Sequence, residues 1–141
     1  MMFFINKKII LNLFFICFCT IFLSGYVLAD DYMRKNGSIV ASWADPYIRI
    51  NGGIAGEIDG DYIRKNGSII GEIDGDYIRK SGSIIGEIDG NYLRKNGSIL
   101  YEIDNNGYVR KNGSIYLEFD GYDGSPFMKK VIAAYLFFFD H

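Results

Sequence analysis

The chain has 141 residues, of which 49% are hydrophobic and 16% aromatic, and its formal net charge is −2 at pH 7. This slight acidity argues against a nucleic-acid-binding protein, which would present a basic face. The length allows one small domain.

The first 29 residues have the layout of an export signal. Lys7 and Lys8 precede an apolar run over residues 9–23, and the stretch ends in Val-Leu-Ala, where small residues suit cleavage. We therefore predict a signal peptide over 1–29 and a mature chain in the periplasm, on the cell surface or outside the cell. The alternative is an uncleaved membrane anchor, because the apolar run approaches the length of a span.

The mature chain, residues 30–141, is expected to fold without disulfides. Both cysteines, Cys17 and Cys19, lie in the leader, although exported domains of this size often rely on disulfide bonds. Without Lys7 and Lys8, 13 of the 15 basic residues and all 17 acidic ones remain, which gives a net charge of −4.

Tyrosine marks an internal repeat of 15 residues. The phrase GEIDGDYIRKNGSII at 56–70 returns almost unchanged at 71–85 and 86–100, and one unit carries an extra residue in Asp-Asn-Asn-Gly at 104–107. A regular period of this kind is typical of repeat architectures. The six predicted units cover residues 31–45, 46–60, 61–75, 76–90, 91–106 and 107–121.

Each unit is predicted to form two short antiparallel strands. Lys-Asn-Gly-Ser after the Tyr-Ile-Arg strand is a strong hairpin turn, because Asn and Gly tolerate positive φ. Asp-Gly after the second strand is another turn signal. The sequence therefore predicts an all-β fold of tandem β-hairpins.

An odd repeat length requires one irregularity in each unit. Side chains alternate with period two along a strand, so either one loop has an odd number of residues or a bulge intervenes. An odd loop at Ile-Asp-Gly would place Tyr62, Arg64, Ile69 and Gly71 on one face. An odd loop at Asn-Gly-Ser would instead group Ile63, Ile69, Gly71 and Ile73. Turn chemistry favours the first register and burial favours the second.

A small parallel β-solenoid is the alternative architecture. It would stack Arg64 on Arg79, and Glu72 on Glu87, about 4.8 Å apart, where like charges repel. This repulsion makes the antiparallel arrangement the preferred one.

The last segment, residues 122–141, departs from the repeat. Ser125-Pro126 suits an N-cap and a first helical residue. The nine apolar residues over 131–139 are too few for a transmembrane helix, so we expect a mature form that does not span a membrane. Exposed, this run would favour aggregation. We predict a buried tail that closes or plugs the repeats, as capping ends of repeat arrays do.

These features together resemble the bacterial β-flower proteins, in particular the five-fold type. The resemblance rests on export, on tandem GSIIGEIDGDYIRKNGSIIGEIDG units and on the aromatic end KKVIAAYLFFF, with six units here rather than five. It implies a domain of β-hairpins arranged radially about an axis. It implies no activity, ligand, cofactor or catalytic residue.

No enzyme is predicted. The only histidine is the last residue, His141, and serines such as Ser68 lie in turns with no base nearby in sequence. Recurring acidic turns, such as Asp59 and Asp61, could hold Ca²⁺, but they match no calcium motif and Asp-Gly is an ordinary turn. We predict no metal site and no cofactor.

Alternating tyrosine and arginine side chains are the candidate ligand-binding residues. Both registers place them on one face, where they could stack on sugar rings or bind an anionic polymer. The competing interpretation is an ordinary exposed sheet face with arginine paired to acidic residues. The candidates are Tyr62, Arg64, Tyr77, Arg79, Tyr92 and Arg94.

The sequence thus favours an exported, non-enzymatic β-repeat domain with a structural or binding role at the cell envelope or outside the cell. Two alternatives are a glycan-binding module that uses the Tyr/Arg face and a fibre-forming surface protein. The partner is unknown, with a glycan or another envelope component as the candidates.

Overall fold

The computed structural model describes residues 30–141, so the predicted signal peptide over 1–29 lies outside the described residues. The described chain forms twelve β-strands and one helix, α1, at Pro126–Phe138. The strands are β1 Asp31–Lys35, β2 Ser38–Ala44, β3 Tyr47–Ile50, β4 Gly53–Asp59, β5 Tyr62–Lys65, β6 Ser68–Asp74, β7 Tyr77–Lys80, β8 Ser83–Asp89, β9 Tyr92–Lys95, β10 Ser98–Ile103, β11 Tyr108–Lys111 and β12 Ser114–Phe119. Consecutive strands pair as six hairpins, numbered 1 (β1–β2) to 6 (β11–β12).

The turn within each hairpin is the two-residue loop that the sequence predicts. In hairpin 3, Lys65 pairs with Ser68, and the loop residues Asn66 and Gly67 have φ of 50° and 76°. Positive φ at both positions defines a type I′ turn, whose twist matches that of the strands. Asn-Gly therefore acts as a turn signal in this protein.

The connections between hairpins differ from the three-residue Ile-Asp-Gly loop that one of the two registers requires. Asp59 pairs with Tyr62, so the loop is Gly60-Asp61, with Gly60 at φ 60°. Positive φ at the first loop residue is typical of a type II′ turn, which favours Gly at that position. The extra residue of the fifth unit is absorbed in a longer loop, where the Asp104 carboxylate accepts a hydrogen bond from the Asn106 amide at 2.9 Å.

A β-bulge inside each hairpin is the irregularity that the odd repeat length requires. In hairpin 3, Ile63 pairs with Gly71 and Arg64 pairs with Ile69, so Ile70 is the extra residue. A register shift at the equivalent position occurs in all six hairpins. Because of the bulge, both turns keep two residues and equivalent side chains face the same way in every unit.

Neither predicted register is correct in full. Ile63, Gly71 and Ile73 do face inward together, as the burial argument requires. Ile69, however, lies outward opposite Arg64 and is 53% exposed. The difference follows from the bulge, which moves the irregularity from the turn into the strand.

The sheet closes on itself as a twelve-stranded antiparallel barrel. Each strand pairs with its sequence neighbours, and β12 returns to β1 through Met33 with Phe119 and Arg34 with Glu118. The predicted all-β fold of radially arranged hairpins is thereby confirmed. The parallel solenoid alternative is wrong, because closure by antiparallel hairpins removes the free edges and avoids stacking like charges.

Neighbouring hairpins are joined only at their bases. Pairing between hairpins 3 and 4 covers Glu72 with Arg79, Ile73 with Ile78 and Asp74 with Tyr77, whereas pairing within a hairpin continues to the Asn-Gly turn. The outer part of each hairpin is therefore not paired with the neighbouring hairpins.

The barrel interior is filled by inward side chains of the strands and by helix α1. The inner residues preceding the six arginines are Met33, Ile48, Ile63, Ile78, Leu93 and Val109, all fully buried. The predicted N-cap is present, since the Ser125 hydroxyl accepts a hydrogen bond from the Met128 amide at 3.2 Å. The helix is buried on every side from Val131 to Leu136, as expected for an all-round apolar helix. Within residues 30–141, no helix has both the length and the apolar character needed to cross a membrane.

Three consecutive phenylalanines of the tail each lie against a glycine of a different hairpin. A β-carbon built on Gly71 would come within 2.2 Å of the Phe138 ring, and the same position in hairpins 2 and 4 faces Phe139 and Phe137. These glycines leave the space that the rings occupy, so the sequence FFF at 137–139 and the repeated glycine fit each other.

Candidate functional site: the clefts between hairpins

Tyrosine, glutamate and arginine form a short row across three strands on the outer face. In one row Tyr62 of β5 pairs with Glu72 of β6, which pairs with Arg79 of β7. The row arises because strand pairing places residues n and n+10 of one hairpin at the same level as the arginine of the next hairpin. Equivalent rows start at Tyr32, Tyr47, Tyr77, Tyr92 and Tyr108, and the row from Tyr32 has Ser42 in place of the glutamate.

A cleft opens above this row where neighbouring hairpins separate. Between hairpins 3 and 4 it has a volume of about 370 Å³, with Tyr62, Ile69 and Glu72 on one wall and Arg79 and Lys80 on the other. One wall thus offers an apolar and aromatic surface beside a carboxylate, and the other wall offers two cationic groups. This combination can bind a ligand with both a flat apolar face and polar substituents.

The same cleft recurs elsewhere around the barrel. The cleft between hairpins 1 and 2 has a volume of about 460 Å³ and is lined by Tyr32, Ile39 and Arg49. That between hairpins 4 and 5 is smaller, about 150 Å³, and includes Ile84 and Arg94. Equivalent positions of the repeat line all three, so the chain presents one kind of cleft several times.

The predicted Tyr/Arg residues lie on the outer, convex face of the barrel, and the structure pairs them within each strand. The guanidinium carbon lies 5.9 Å from the tyrosine ring centre for Arg64 and Tyr62, and 5.3 Å for Arg79 and Tyr77. Tyr62 and Tyr77 are each 44% exposed. The third pair, Arg94 over Tyr92 at 5.6 Å, has a half-buried tyrosine.

The arginines differ in their carboxylate partners. Arg64 Nε donates to Asp59 at 3.0 Å and Arg94 Nε to Asp89 at 2.8 Å. Among residues 30–141, Arg79 has no ion pair within 4.0 Å, and Arg49 has Ala44 at the position of the partner aspartate. These two arginines lie in the two larger clefts, Arg49 in the one of about 460 Å³ and Arg79 in the one of about 370 Å³.

Sequence reasoning missed how the clefts are assembled. It placed Tyr62 and Arg79 on one face and, in one register, grouped Ile69 with Tyr62. It did not predict that Tyr62 and Ile69 meet Arg79 of the next hairpin in a cleft. That meeting depends on the bulge and on the separation of the hairpins, for which the repeat length is the sole signal in sequence.

A second polar cluster fastens the C-terminal end of the chain. Lys35 donates to Asp140 and, at 2.9 Å, to the Tyr116 hydroxyl, which donates to Asp140 at 2.7 Å. Burial alone would lower the pKa of Lys35, but its hydrogen bonds to Asp140 and Tyr116 raise it. Burial also raises the pKa of Tyr135, and raises that of Tyr101 to about 12 with help from Tyr116. The cluster thus ties the C-terminal end of the chain to strands β1 and β12.

Two lysines hold the other end of helix α1. Lys129 Nζ donates to Asn91 Oδ1 at 2.9 Å, and Lys130 Nζ donates to Asp61 Oδ1 at 2.8 Å. Beside them lies a cavity of about 400 Å³ that is lined in part by Phe127. Because both ammonium groups already bond to the loops between hairpins, they anchor the helix in the barrel.

The acidic turns are spread around the barrel. In the described part of the chain, no three His, Cys, Asp or Glu side chains are grouped so that they could hold one metal ion. Asp61 bonds to Lys130 and Asp59 to Arg64, so these carboxylates serve ion pairs.

Comparison of the chain with protein-family models, with curated proteins and with solved structures finds no match. The recurring clefts are therefore the feature from which a function can be inferred.

Proposed function

We propose that this protein is an exported, non-enzymatic binding domain at the cell envelope or outside the cell, and that the clefts between hairpins are its binding elements. The observation that carries the proposal is the recurrence of one kind of cleft, with equivalent Ile and Arg residues, between three pairs of hairpins, and two of these clefts also contain the equivalent Tyr. Several similar sites on one barrel suit a ligand that itself repeats, because linked weak contacts add avidity. Export rests on the predicted signal peptide over 1–29.

We further propose that the chain is a β-flower protein with six hairpins. The closed barrel and the radial hairpins support this assignment. The separation of the outer parts of the hairpins supports it as well, since pairing between hairpins stops at residues such as Arg79.

A glycan is the ligand class that the cleft chemistry favours. Tyr62 and Tyr77 are each 44% exposed and can stack on the apolar face of a sugar ring. Glu72 and Arg79, at the same level as Tyr62, can accept and donate hydrogen bonds to its hydroxyl groups.

Fibre formation receives less support. It was motivated by near-identical strands and by the apolar tail at 131–139. The strands pair with each other around a closed barrel, and most of the tail is buried inside it. Both features are thus used within one molecule.

The test measures binding of the exported protein to isolated cell envelopes and to a glycan array. We expect binding to both, and we expect the double variant Tyr62→Ala/Tyr77→Ala to weaken it severalfold. The matched control is Tyr62→Phe/Tyr77→Phe, which keeps the rings and should retain most of the binding if stacking dominates. The melting temperature of each variant checks the fold.

A blank glycan array together with envelope binding that the alanine variant weakens would remove the glycan and leave the cleft proposal. Envelope binding that neither variant changes would overturn the cleft proposal. Turnover of a substrate that depends on one particular residue would overturn the non-enzymatic assignment.

A further inference from the structure

The outer ends of the six hairpins, here called the tips, contain all the hairpin arginines and lysines and no acidic residue. Each tip begins with arginine, five of the six continue with lysine, and none contains Asp or Glu. The tips are residues 34–40, 49–55, 64–70, 79–85, 94–100 and 110–116. Although residues 30–141 carry a net charge of −4, their charge is therefore strongly segregated.

All six tips lie at the same end of the barrel. The hairpins follow one another around a closed antiparallel sheet, so every turn within a hairpin is at one end and every connecting loop at the other. The connecting-loop end carries acidic residues such as Asp61, Asp74 and Asp76. The protein thus has a basic end and an acidic end.

Each tip also exposes one isoleucine. These six side chains are between 53% and 56% exposed, and they are the exposed large aliphatic residues of the described chain. The bulge turns each of them outward beside the tip arginine, as Ile69 beside Arg64. They are Ile39, Ile54, Ile69, Ile84, Ile99 and Ile115.

The lysines of three tips are available for contact. Lys65, Lys80 and Lys95 are exposed, and none lies within 4.0 Å of a carboxylate in residues 30–141. By contrast, Lys35 is paired with Asp140 and Lys130 with Asp61. The free ammonium groups are therefore concentrated among the exposed isoleucines.

We propose that the ring of tips docks on the surface of a bilayer containing anionic phospholipids. Lysines near such a surface are attracted to the headgroups, and apolar side chains beside them enter the boundary between headgroups and acyl chains. A soluble polyanion would use the lysines but would leave six isoleucines in water. The tips share Ile39, Ile69, Ile84 and Lys80 with the described clefts, so the variants below use tip residues outside those clefts.

The test is sedimentation of the exported protein with vesicles of phosphatidylcholine alone or mixed equally with phosphatidylglycerol. We expect binding to the mixed vesicles, little binding to phosphatidylcholine, and release at high salt because the attraction is screened. Equal binding to both vesicle types would overturn the proposal, because it would show that anionic headgroups do not contribute. An uncleaved apolar leader would produce that result. The absence of binding to mixed vesicles would overturn it as well.

Variants at the tips outside the described clefts separate docking from cleft binding. Lys65→Gln/Lys95→Gln should weaken binding to mixed vesicles roughly thirtyfold, from about 1 kcal/mol for each lysine. Lys129→Gln/Lys130→Gln is the control, with the same change in charge at the opposite end. Because these lysines anchor helix α1, its melting temperature is measured first, and the folded variant should bind as the parent does. Equal effects of the two variants would overturn the proposal.

A second variant tests the apolar contact. Ile54→Ser, Ile99→Ser and Ile115→Ser combined should lower vesicle binding at least tenfold, because apolar area no longer enters the interface. These side chains are more than half exposed, so the melting temperature should be unchanged. A variant that folds and binds as the parent does would show that the isoleucines do not insert and would overturn the proposed docking.

Discussion

Hairpins 2, 3 and 4 line the same barrel as hairpins 1, 5 and 6 but fill its interior differently. At one equivalent inward position, hairpins 2 to 4 have glycine, and the space is occupied by rings of the tail. Hairpins 1, 5 and 6 have Ala41, Tyr101 and Leu117 there, all buried. One half of the wall therefore depends on the tail for its core, and the other half supplies its own side chains.

This difference explains why the repeats are not identical. A perfectly repeated wall would present six equal glycines, whereas the tail has only three phenylalanines in a row, at 137–139. Interiors pack closely and leave few voids, so the remaining positions need side chains of their own. Departures from the repeat, such as Leu-Tyr-Glu-Ile in the fifth unit, therefore occur where the tail supplies no phenylalanine ring.

The largest effect is expected from removing a ring on the glycine side. Phe138→Ala should lower the free energy of unfolding by about 3–5 kcal/mol, because Gly71 has no side chain to fill the cavity. Urea unfolding of the variant and its parent measures the change. A loss below about 1 kcal/mol would show that the ring is not an essential part of the core.

A smaller loss is expected from adding a methyl group to the glycine. In Gly71→Ala the new carbon would meet the Phe138 ring at 2.2 Å and the Arg79 carbonyl at 3.0 Å, which should cost about 1–3 kcal/mol as overpacking does. The matched control is Gly53→Ser, where the nearest atom is 3.8 Å away and the other five hairpins have serine. Equal losses of stability in the two variants would show that Gly71 does not fit closely against the Phe138 ring.

The double variant tests whether these two residues form a unit. In Phe138→Ala/Gly71→Ala the added methyl group enters space that the ring has left, so the combined loss should be smaller than the sum by roughly 1 kcal/mol. If the two losses of stability are additive in the same urea experiment, the two residues do not interact.

The smallest effect is expected at Tyr101, in the half of the barrel wall whose own side chains fill the interior. Burial, with the nearby charges of Tyr116 and Asp140, raises the pKa of Tyr101 from 10.0 to about 12. The folded state therefore holds the phenol proton more tightly than the unfolded state does. The stability that this provides is present below pH 10 and is lost as the pH rises from about 10 toward 12. Melting temperatures across this range should fall less steeply for Tyr101→Phe than for the parent, and parallel curves would contradict the assignment.

Much of the fold could be predicted from local chemistry. Asn66-Gly67 adopts the positive φ values that such residues favour, and Ser125-Pro126 begins a helix. The candidate site could be predicted only in part. Tyr62 and Arg79 were recognised as outward residues, but their meeting in one cleft depends on where the hairpins separate, which no local pattern encodes.

The amino-acid sequence by itself determined the antiparallel strands, the turns, the six repeated units and the need for one irregularity in each. It determined these because turn chemistry and side-chain alternation act over a few residues. The tertiary structure alone decided that the irregularity is a bulge, that twelve strands close, and that Phe138 meets Gly71. These outcomes depend on residues far apart in the chain competing for one interior, and packing, rather than local preference, selects among them.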